Sequence, residues 1–228
     1  MSGHSKWSTI KRKKGANDAK RGKLFAKLIR AIEVAGKTGG ADPNNNASLY
    51  QAISKAKSNS VPNSNIENAL KRINGDSSIG VLDEITYEGY GPNGVAILVE
   101  CLTDNKNRTS SDVKATFNKY DGSTGSPGSV NYLFARKAIF QFDEYKDDII
   151  DIAIDNNCVD IQENENGVTF EFNPSEFQKI DKLFRSSEFN LVNSEIAYIP
   201  STSINLDLNA FNKLSKLIEA LEDLDDVQ

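Results

Sequence analysis

The chain is poor in the side chains that carry out most covalent and metal chemistry. Its 228 residues include one histidine, two cysteines, one tryptophan and one methionine. His4 stands in a polar, basic N-terminal stretch, which leaves a histidine-dependent triad or an imidazole-ligated zinc site without its components. Cys101 and Cys158 match neither a disulfide framework nor a Cys-x-x-Cys metal motif, so a reducing compartment is expected. Each borders an apolar strand pattern and reads as a small buried hydrophobe. No apolar run reaches the ~18 residues of a membrane span, and no apolar h-region follows the first positive charges, so no secretory leader is expected. Gly122–Gly128 lacks the Gly-Lys-[Ser/Thr] ending of a phosphate loop, and Gly89–Gly94 lacks the strand-to-helix setting of a dinucleotide fingerprint. Both read as turns, and no Gly-x-Ser-x-Gly elbow is present. Asp147, Asp148, Asp151 and Asp155, and the Glu222, Asp223, Asp225, Asp226 run, lack the glycine-bearing calcium loop and read as solvated acidic faces. No catalytic residue, metal or cofactor is expected, and the chain reads as no enzyme.

What the sequence does have is charge polarity. The net charge of −5 conceals 15 Lys and Arg against four acids over residues 1–75, a net of +11. Residues 76–228 carry 12 Lys and Arg against 28 acids, a net of −16. The basic portion should be drawn to a polyanion and the acidic portion repelled by it. Eleven of the first 37 residues are Lys or Arg, opposed by Asp18 and Glu33. That density is self-repelling unless a polyanion relieves it.

Periodicity divides the chain further. Residues 1–16 read as an arm, with Lys6, Lys11, Arg12, Lys13 and Lys14 around Trp7. Leu24, Phe25, Leu28, Ile29 and Ile32 make a helical stripe from Asp18 to Gly39-Gly40. Asp42-Pro43 reads as the cap and first turn of a second helix, and Val61-Pro62-Asn63 opens a third that closes at Gly75. The three make a small bundle. The period then shifts toward two, with strands around Ile85–Tyr87 and over Val95–Thr103. Thr109–Asp112 reads as a capping box for a helix presenting Val113, Phe117 and Tyr120. The Gly122–Gly128 loop leads into a strand over Ser129–Phe134. Strand 138–142, helix 146–156, strand 159–162, strand 168–172, helix 174–185 and strand 191–199 follow in the ferredoxin-like β-α-β-β-α-β order. A last helix over 207–222 turns Leu208, Phe211, Leu214, Leu217, Ile218 and Leu221 inward, and pairs with the middle strands.

The basic arm and bundle can neutralise phosphates and stack a base on Trp7. The candidate contacts are His4, Lys6, Trp7, Lys11, Arg12, Lys13 and Lys14 in the arm, and Lys20, Arg21, Lys23, Lys27 and Arg30 on the first helix. Lys55, Lys57, Lys71 and Arg72 extend the set along the later helices. Thr103–Thr109 adds Asn105, Lys106 and Arg108 on a strand-to-helix loop. That loop reads equally well as an assisting contact and as a capped loop whose Asn and Asp serve turn hydrogen bonds.

Long stretches also resemble one family. Met1–Lys14 (MSGHSKWSTIKRKK), Asp18-Ala-Lys-Arg-Gly-Lys23, Gly39-Gly-Ala-Asp-Pro43, Tyr87-Glu-Gly-Tyr-Gly-Pro92, Glu100-Cys-Leu-Thr-Asp-Asn-Lys-Asn-Arg-Thr109 and Pro200-Ser-Thr202 closely resemble, in order, the YebC family, from Met1 to the end. The resemblance implies a cytoplasmic α+β protein of three domains. An N-terminal three-helix bundle precedes two α+β domains, the third ferredoxin-like and inserted in the second. Here that division falls at 1–78, at 79–134 with 201–228, and at 135–200. Family members usually continue past the acidic Asp-Asp-Val run into a short final strand of the middle domain. With Val227-Gln228 as its last residues, that strand is expected to be curtailed or absent. Bacterial members carry the label of probable transcriptional regulators that bind DNA. Bacterial and organellar members, the translational activators of cytochrome c oxidase among them, are linked to ribosome-associated translation.

The side chains favour RNA over an operator. A sequence-specific DNA regulator normally shows an Arg-, Asn- or Gln-rich recognition helix and a dimer that spaces its half-sites. The cations here are mostly lysines, which suit phosphates. The partner expected is ribosomal RNA on the ribosome, with double-stranded DNA as the alternative. Basic ribosomal proteins would meet the acidic domains, no membrane is involved, and a monomer is favoured. A small-molecule-binding or catalytic ferredoxin-like domain is the remaining alternative, because that fold hosts many functions.

Overall fold

The computed structural model describes residues 18–75, 82–164 and 167–228. The arm, with its His4, Lys6, Trp7, Lys11, Arg12, Lys13 and Lys14, lies outside them. The chain forms two compact units, the first built from described residues 18–27, 82–135 and 200–228, the second from 28–75, 136–164 and 167–199.

Three helices come first, α1 (Asp18–Gly39), α2 (Ala47–Ser58) and α3 (Asn63–Gly75). In the second unit Leu28, Ile32, Leu49, Ala56, Ile66, Ala69 and Ile73 are buried. Gly36 lets α1 approach α3, because a Cβ there would collide with Ile73. The cap of α2 is Asn46, not Asp42. Asn46 Oδ1 accepts from Leu49 N at 3.0 Å, while its Nδ2 donates to Ala35 O and Gly40 O, both at 2.8 Å. A buried asparagine that satisfies three backbone groups outcompetes an aspartate that is exposed and spent on an Asx turn to Asn44 N at 2.9 Å.

The same unit holds a four-stranded sheet of β4 (Phe134–Phe142), β5 (Asp160–Asn164), β6 (Gly167–Phe172) and β7 (Leu191–Pro200), with helices α5 (Asp147–Asp155) and α6 (Phe177–Ser186). The sheet order β5-β6-β4-β7 is the ferredoxin-like one the periodicity predicts. Alternate residues Ala138, Phe140 and Phe142 on β4, and Val168, Phe170 and Phe172 on β6, enter one core with Ile180 and Phe184. The Phe184 ring lies 5.0–6.0 Å from those of Phe142, Phe140, Phe170 and Phe172, within the range where aromatic pairs add to burial.

A polar cluster joins α2 to α6. Asp181, 1% exposed, accepts from Tyr50 Oη at 2.7 Å and Arg185 Nε at 2.8 Å. Arg185 Nη2 donates onward to Ser194 Oγ at 2.9 Å and Ser54 Oγ at 3.3 Å. Burial, then the Asp181 carboxylate, push the Tyr50 phenol well above its usual range, so it stays a donor at neutral pH.

The first unit contains β1 (Asp83–Tyr90), β2 (Ala96–Thr103), α4 (Lys106–Lys119), β3 (Ser123–Thr124) and α7 (Leu208–Glu222). Its sheet order is β2-β1-β3. β1 and β2 pair antiparallel from Asp83↔Thr103 to Tyr90↔Ala96, so β1 runs into the stretch expected to turn. Gly89 lies at the crowded point, where a Cβ would meet both the Phe117 ring and Ser123 O at 2.7 Å. Val99, Cys101, Val113, Phe117, Leu217 and Leu221 form the core. Burial first, with Asp226 nearby, pushes the Cys101 thiol up to about 12, so it stays an inert thiol.

Three further expectations change. Helix α4 starts at Lys106, ahead of the Thr109 capping box, because Asn105 supplies the cap. Leu208 is 76% exposed, because it directly follows the Asp207 cap and the buried stripe begins at Ala210. No strand forms over Ser129–Leu133. The Glu88 carboxylate takes the N–H groups of Gly128, Val130 and Asn131, a 3-10 turn spans Asn131–Leu133, and β4 begins at Phe134. The last residues form one antiparallel bridge, Cys101↔Val227, held by Leu102 N to Asp226 O at 2.8 Å and Gln228 N to Glu100 O at 2.9 Å.

Replacing Asp181 with Ala strips Tyr50 and Arg185 of their acceptor and is expected to cost about 2 kcal/mol, against about 1 kcal/mol for Tyr50→Phe. Urea unfolding followed on the second unit checks the order. Equal small losses would mean that the cluster is not holding α2 to α6.

Candidate nucleic-acid interface

In the first unit, α1 presents Lys20, Lys23 and Lys27 at three- and four-residue spacing, which puts them on one helix face. Lys20, Arg21 and Lys23 are exposed, and the Arg21 guanidinium lies 5.2 Å from the centre of the Phe25 ring. Lys27 is committed elsewhere. Its Nζ donates to Glu222 O at 2.6 Å and Leu224 O at 2.7 Å, carbonyls at and just past the C-terminus of α7, where a cation is favoured. Burial lowers the Lys27 pKa, against the opposing pull of Asp225 and Glu222.

The Asn105–Arg108 loop is likewise drawn into the unit. Asn105 Oδ1 caps α4 by accepting from Arg108 N at 3.0 Å, and Lys106 Nζ pairs with Asp83 at 3.2 Å. Arg108 Nη2 reaches Asp226 Oδ2 at 2.8 Å and Asp104 Oδ1 at 2.9 Å. Asp226 Oδ2 also accepts from Thr109 Oγ1 at 2.8 Å and Thr103 Oγ1 at 3.1 Å. Burial pushes the Asp226 pKa up, but the Arg108, Thr109 and Thr103 hydrogen bonds outweigh it and hold the carboxyl below its usual range. Lys27 and Arg108, distant in sequence, thus meet the same closing segment, residues 222–228. No local signal marks Asp226 for this role, since its main partner lies 118 positions away.

In the second unit, Arg30 is half-buried on α1. Arg72 Nη1 pairs with Glu33 Oε1 at 3.0 Å, tying α3 to α1. Lys57 and Lys71 are exposed and Lys55 is half-exposed near the end of α2. Among the described residues, no group of three or more His, Cys, Asp or Glu side chains is gathered to hold a metal ion. None of the described helices is long and apolar enough to cross a membrane.

Glu88 is a second acceptor that the sequence did not signal. Its Oε1 takes Gly128 N at 2.6 Å, and its Oε2 takes Val130 N at 2.7 Å and Asn131 N at 2.9 Å. The end of the Gly122–Gly128 loop and the turn after it are therefore organised around a carboxylate from their own unit. The backbone N–H bonds from Gly128 and Val130 lower the Glu88 pKa.

Comparison with known proteins covers nearly the whole chain. Residues 5–76 match the model of the TACO1/YebC protein N-terminal domain, and residues 82–228 that of the TACO1/YebC second and third domain. A probable transcriptional regulatory protein of Borreliella afzelii (strain PKo) is 50% identical over 232 residues, spanning 100% of this chain and 95% of its own. Its counterpart from Parafrankia sp. (strain EAN1pec) is 48% identical over 235 residues, spanning 100% and 93%. The crystal structure of a conserved hypothetical protein, Aq1575, from Aquifex aeolicus superimposes with a TM-score of 0.79 at 37% identity, over 95% of this chain and 90% of that one.

Two substitutions test these assignments. Glu88→Gln should lower the melting temperature at neutral pH. Because the folded pKa lies below the unfolded one, the stabilisation is complete above the ordinary carboxylate value of about 4.3 and is lost as pH falls through the folded value. A gap between wild type and variant that stayed constant into strong acid would contradict this. Arg108→Ala should melt earlier yet keep its affinity for nucleic acid. Lost binding in a fully folded variant would instead make Arg108 a contact residue.

Proposed function

Because this chain belongs to the TACO1/YebC family, we propose that it is a non-enzymatic, nucleic-acid-binding regulator of gene expression, acting in the cytoplasm on structured RNA of the ribosome. The observation that carries this reading is the charge polarity, +11 over residues 1–75 against −16 over residues 76–228. A polyanion binds where the cations are dense and is turned away elsewhere. The intramolecular contacts refine the interface. Lys27, Arg72, Lys106 and Arg108 hold carbonyls and carboxylates of their own units. The exposed Lys20, Arg21, Lys23, Lys57 and Lys71, with the arm, remain for phosphates. Exposed lysines suit sequence-independent phosphate contact. The acidic surface suits basic ribosomal proteins.

A second reading, a DNA-binding transcriptional regulator, is favoured by the names of the Borreliella and Parafrankia relatives. Co-sedimentation with ribosomes over a salt series, with double-stranded DNA as competitor, separates the two. Association that survives physiological salt and excess DNA supports the ribosomal reading. Release by DNA of equal or better affinity replaces it with the transcriptional one.

The arm supplies a quantitative test. Replacing Lys11, Arg12, Lys13 and Lys14 together with Ala should flatten the slope of log K against log salt by up to ~4 on duplex DNA, or ~3 on single strands. An unchanged slope would remove the arm from the interface.

A further inference from the structure

Tyr132 is the most exposed of the aromatic side chains described, at 72%, yet the backbone on both sides of it is held by hydrogen bonds. The N–H groups of Gly128, Val130 and Asn131 bind Glu88. Ser129 O accepts from Tyr90 Oη at 2.8 Å, and Leu133 N donates to Val130 O at 2.9 Å. Leu133 O accepts from Ser201 N at 2.8 Å and Ser201 Oγ at 3.0 Å. Val130, two residues before Tyr132, is fully buried. A solitary exposed aromatic needs no explanation by itself. An exposed ring on a turn fixed from both sides has already lost the backbone freedom that binding would otherwise cost.

The charge around that turn is also unusual for its unit. Residues 122–135 and 200–206 carry no charged side chain, whereas residues 76–121 carry eight acids against four Lys and Arg. The Ser201 contacts bring the start of the second neutral segment against the turn of the first. Ser201, Thr202, Ser203 and Asn205 are exposed there and offer hydroxyl and amide hydrogen-bonding groups without repelling a phosphate. The next charges along the chain are the cations Arg136 and Lys137 after the first segment and Asp207 after the second.

We propose that Tyr132 is a stacking platform for an unpaired nucleobase, on a turn whose own residues and the adjoining 200–206 segment carry no charge to repel a single strand. This rests on the nucleic-acid reading above and adds to it a contact outside the basic region. Stacking on an aromatic face tolerates any base and contributes through the π-surface, not through charge.

The test uses the full chain and fluorescence anisotropy with a labelled short oligoadenylate, the same sequence as single-stranded DNA, and a DNA duplex. Y132A and Y132L should weaken oligoadenylate binding about tenfold, with the salt slope unchanged because no phosphate contact is lost. Y132F should bind as wild type does, and duplex binding should not move, since paired bases offer no free face. Parallel loss on the DNA single strand would show base stacking common to both sugars. Loss on RNA alone would add a ribose contact at the same ring. Because the ring is exposed, the melting temperatures of all three variants should match wild type, and Y132L controls for apolar bulk without a π-face. If Y132A and Y132L bind oligoadenylate as wild type does while the four-alanine arm variant fails, the stacking role is overturned and the general reading stands. If wild type binds none of the three probes, both are overturned. Equal loss on duplex and single strand with a flattened slope also overturns it, since that is the mark of lost charge.

Discussion

The first unit is assembled from chain segments that are far apart, and the Asp226 carboxylate is the contact on which its closure depends. β2 ends at Thr103, α4 begins at Lys106, and the last residues return to both. One carboxylate oxygen receives Thr103, Thr109 and Arg108, while the adjoining backbone forms the Cys101↔Val227 bridge. Buried at 7% exposure, this acceptor is costly to leave unpaired. That cost is what makes the register of the final segment specific. Lys27 reinforces the same segment from α1 by satisfying the carbonyls where α7 ends.

A second carboxylate works in the same way. Glu88 gathers three backbone N–H groups that a strand would have paired in its ladder, and thereby converts Ser129–Leu133 from strand to turn. In the second unit Asp181 performs the side-chain counterpart, joining Tyr50 to Arg185, which donates onward to two serines, beside a core of phenylalanine rings. Among the described residues, Asp226, Glu88 and Asp181 thus serve as buried acceptors that tie distant segments together. The remaining acids make residues 76–228 net negative, a charge that repels polyanions.

Much of the architecture could be read from periodicity. The ferredoxin-like order, the three leading helices and the Val113–Phe117 face of α4 follow from repeats of two and of three to four residues. Several boundaries did not. Asp42, Asn46, Asn105 and Thr109 are all competent caps in isolation; buried Asn46 displaces exposed Asp42, whereas exposed Asn105 caps α4 and buried Thr109 is spent on Asp226. Leu208 fits a helical stripe by spacing yet lies outward, because the stripe in contact with the core starts at Ala210.

The sequence by itself determined the α+β class, the order of elements, the scarcity of catalytic chemistry and the charge polarity, because composition and periodicity are properties of short windows. The tertiary structure decided which cations remain exposed. Lys27, Arg72 and Arg108 look like Lys20, Lys57 and Lys71 in the sequence, and what separates them is their acceptors. The acceptors of Lys27 and Arg108 lie more than a hundred residues away. Coulomb and hydrogen-bond energies depend on distances of a few ångströms, and such distances exist only after the chain has folded.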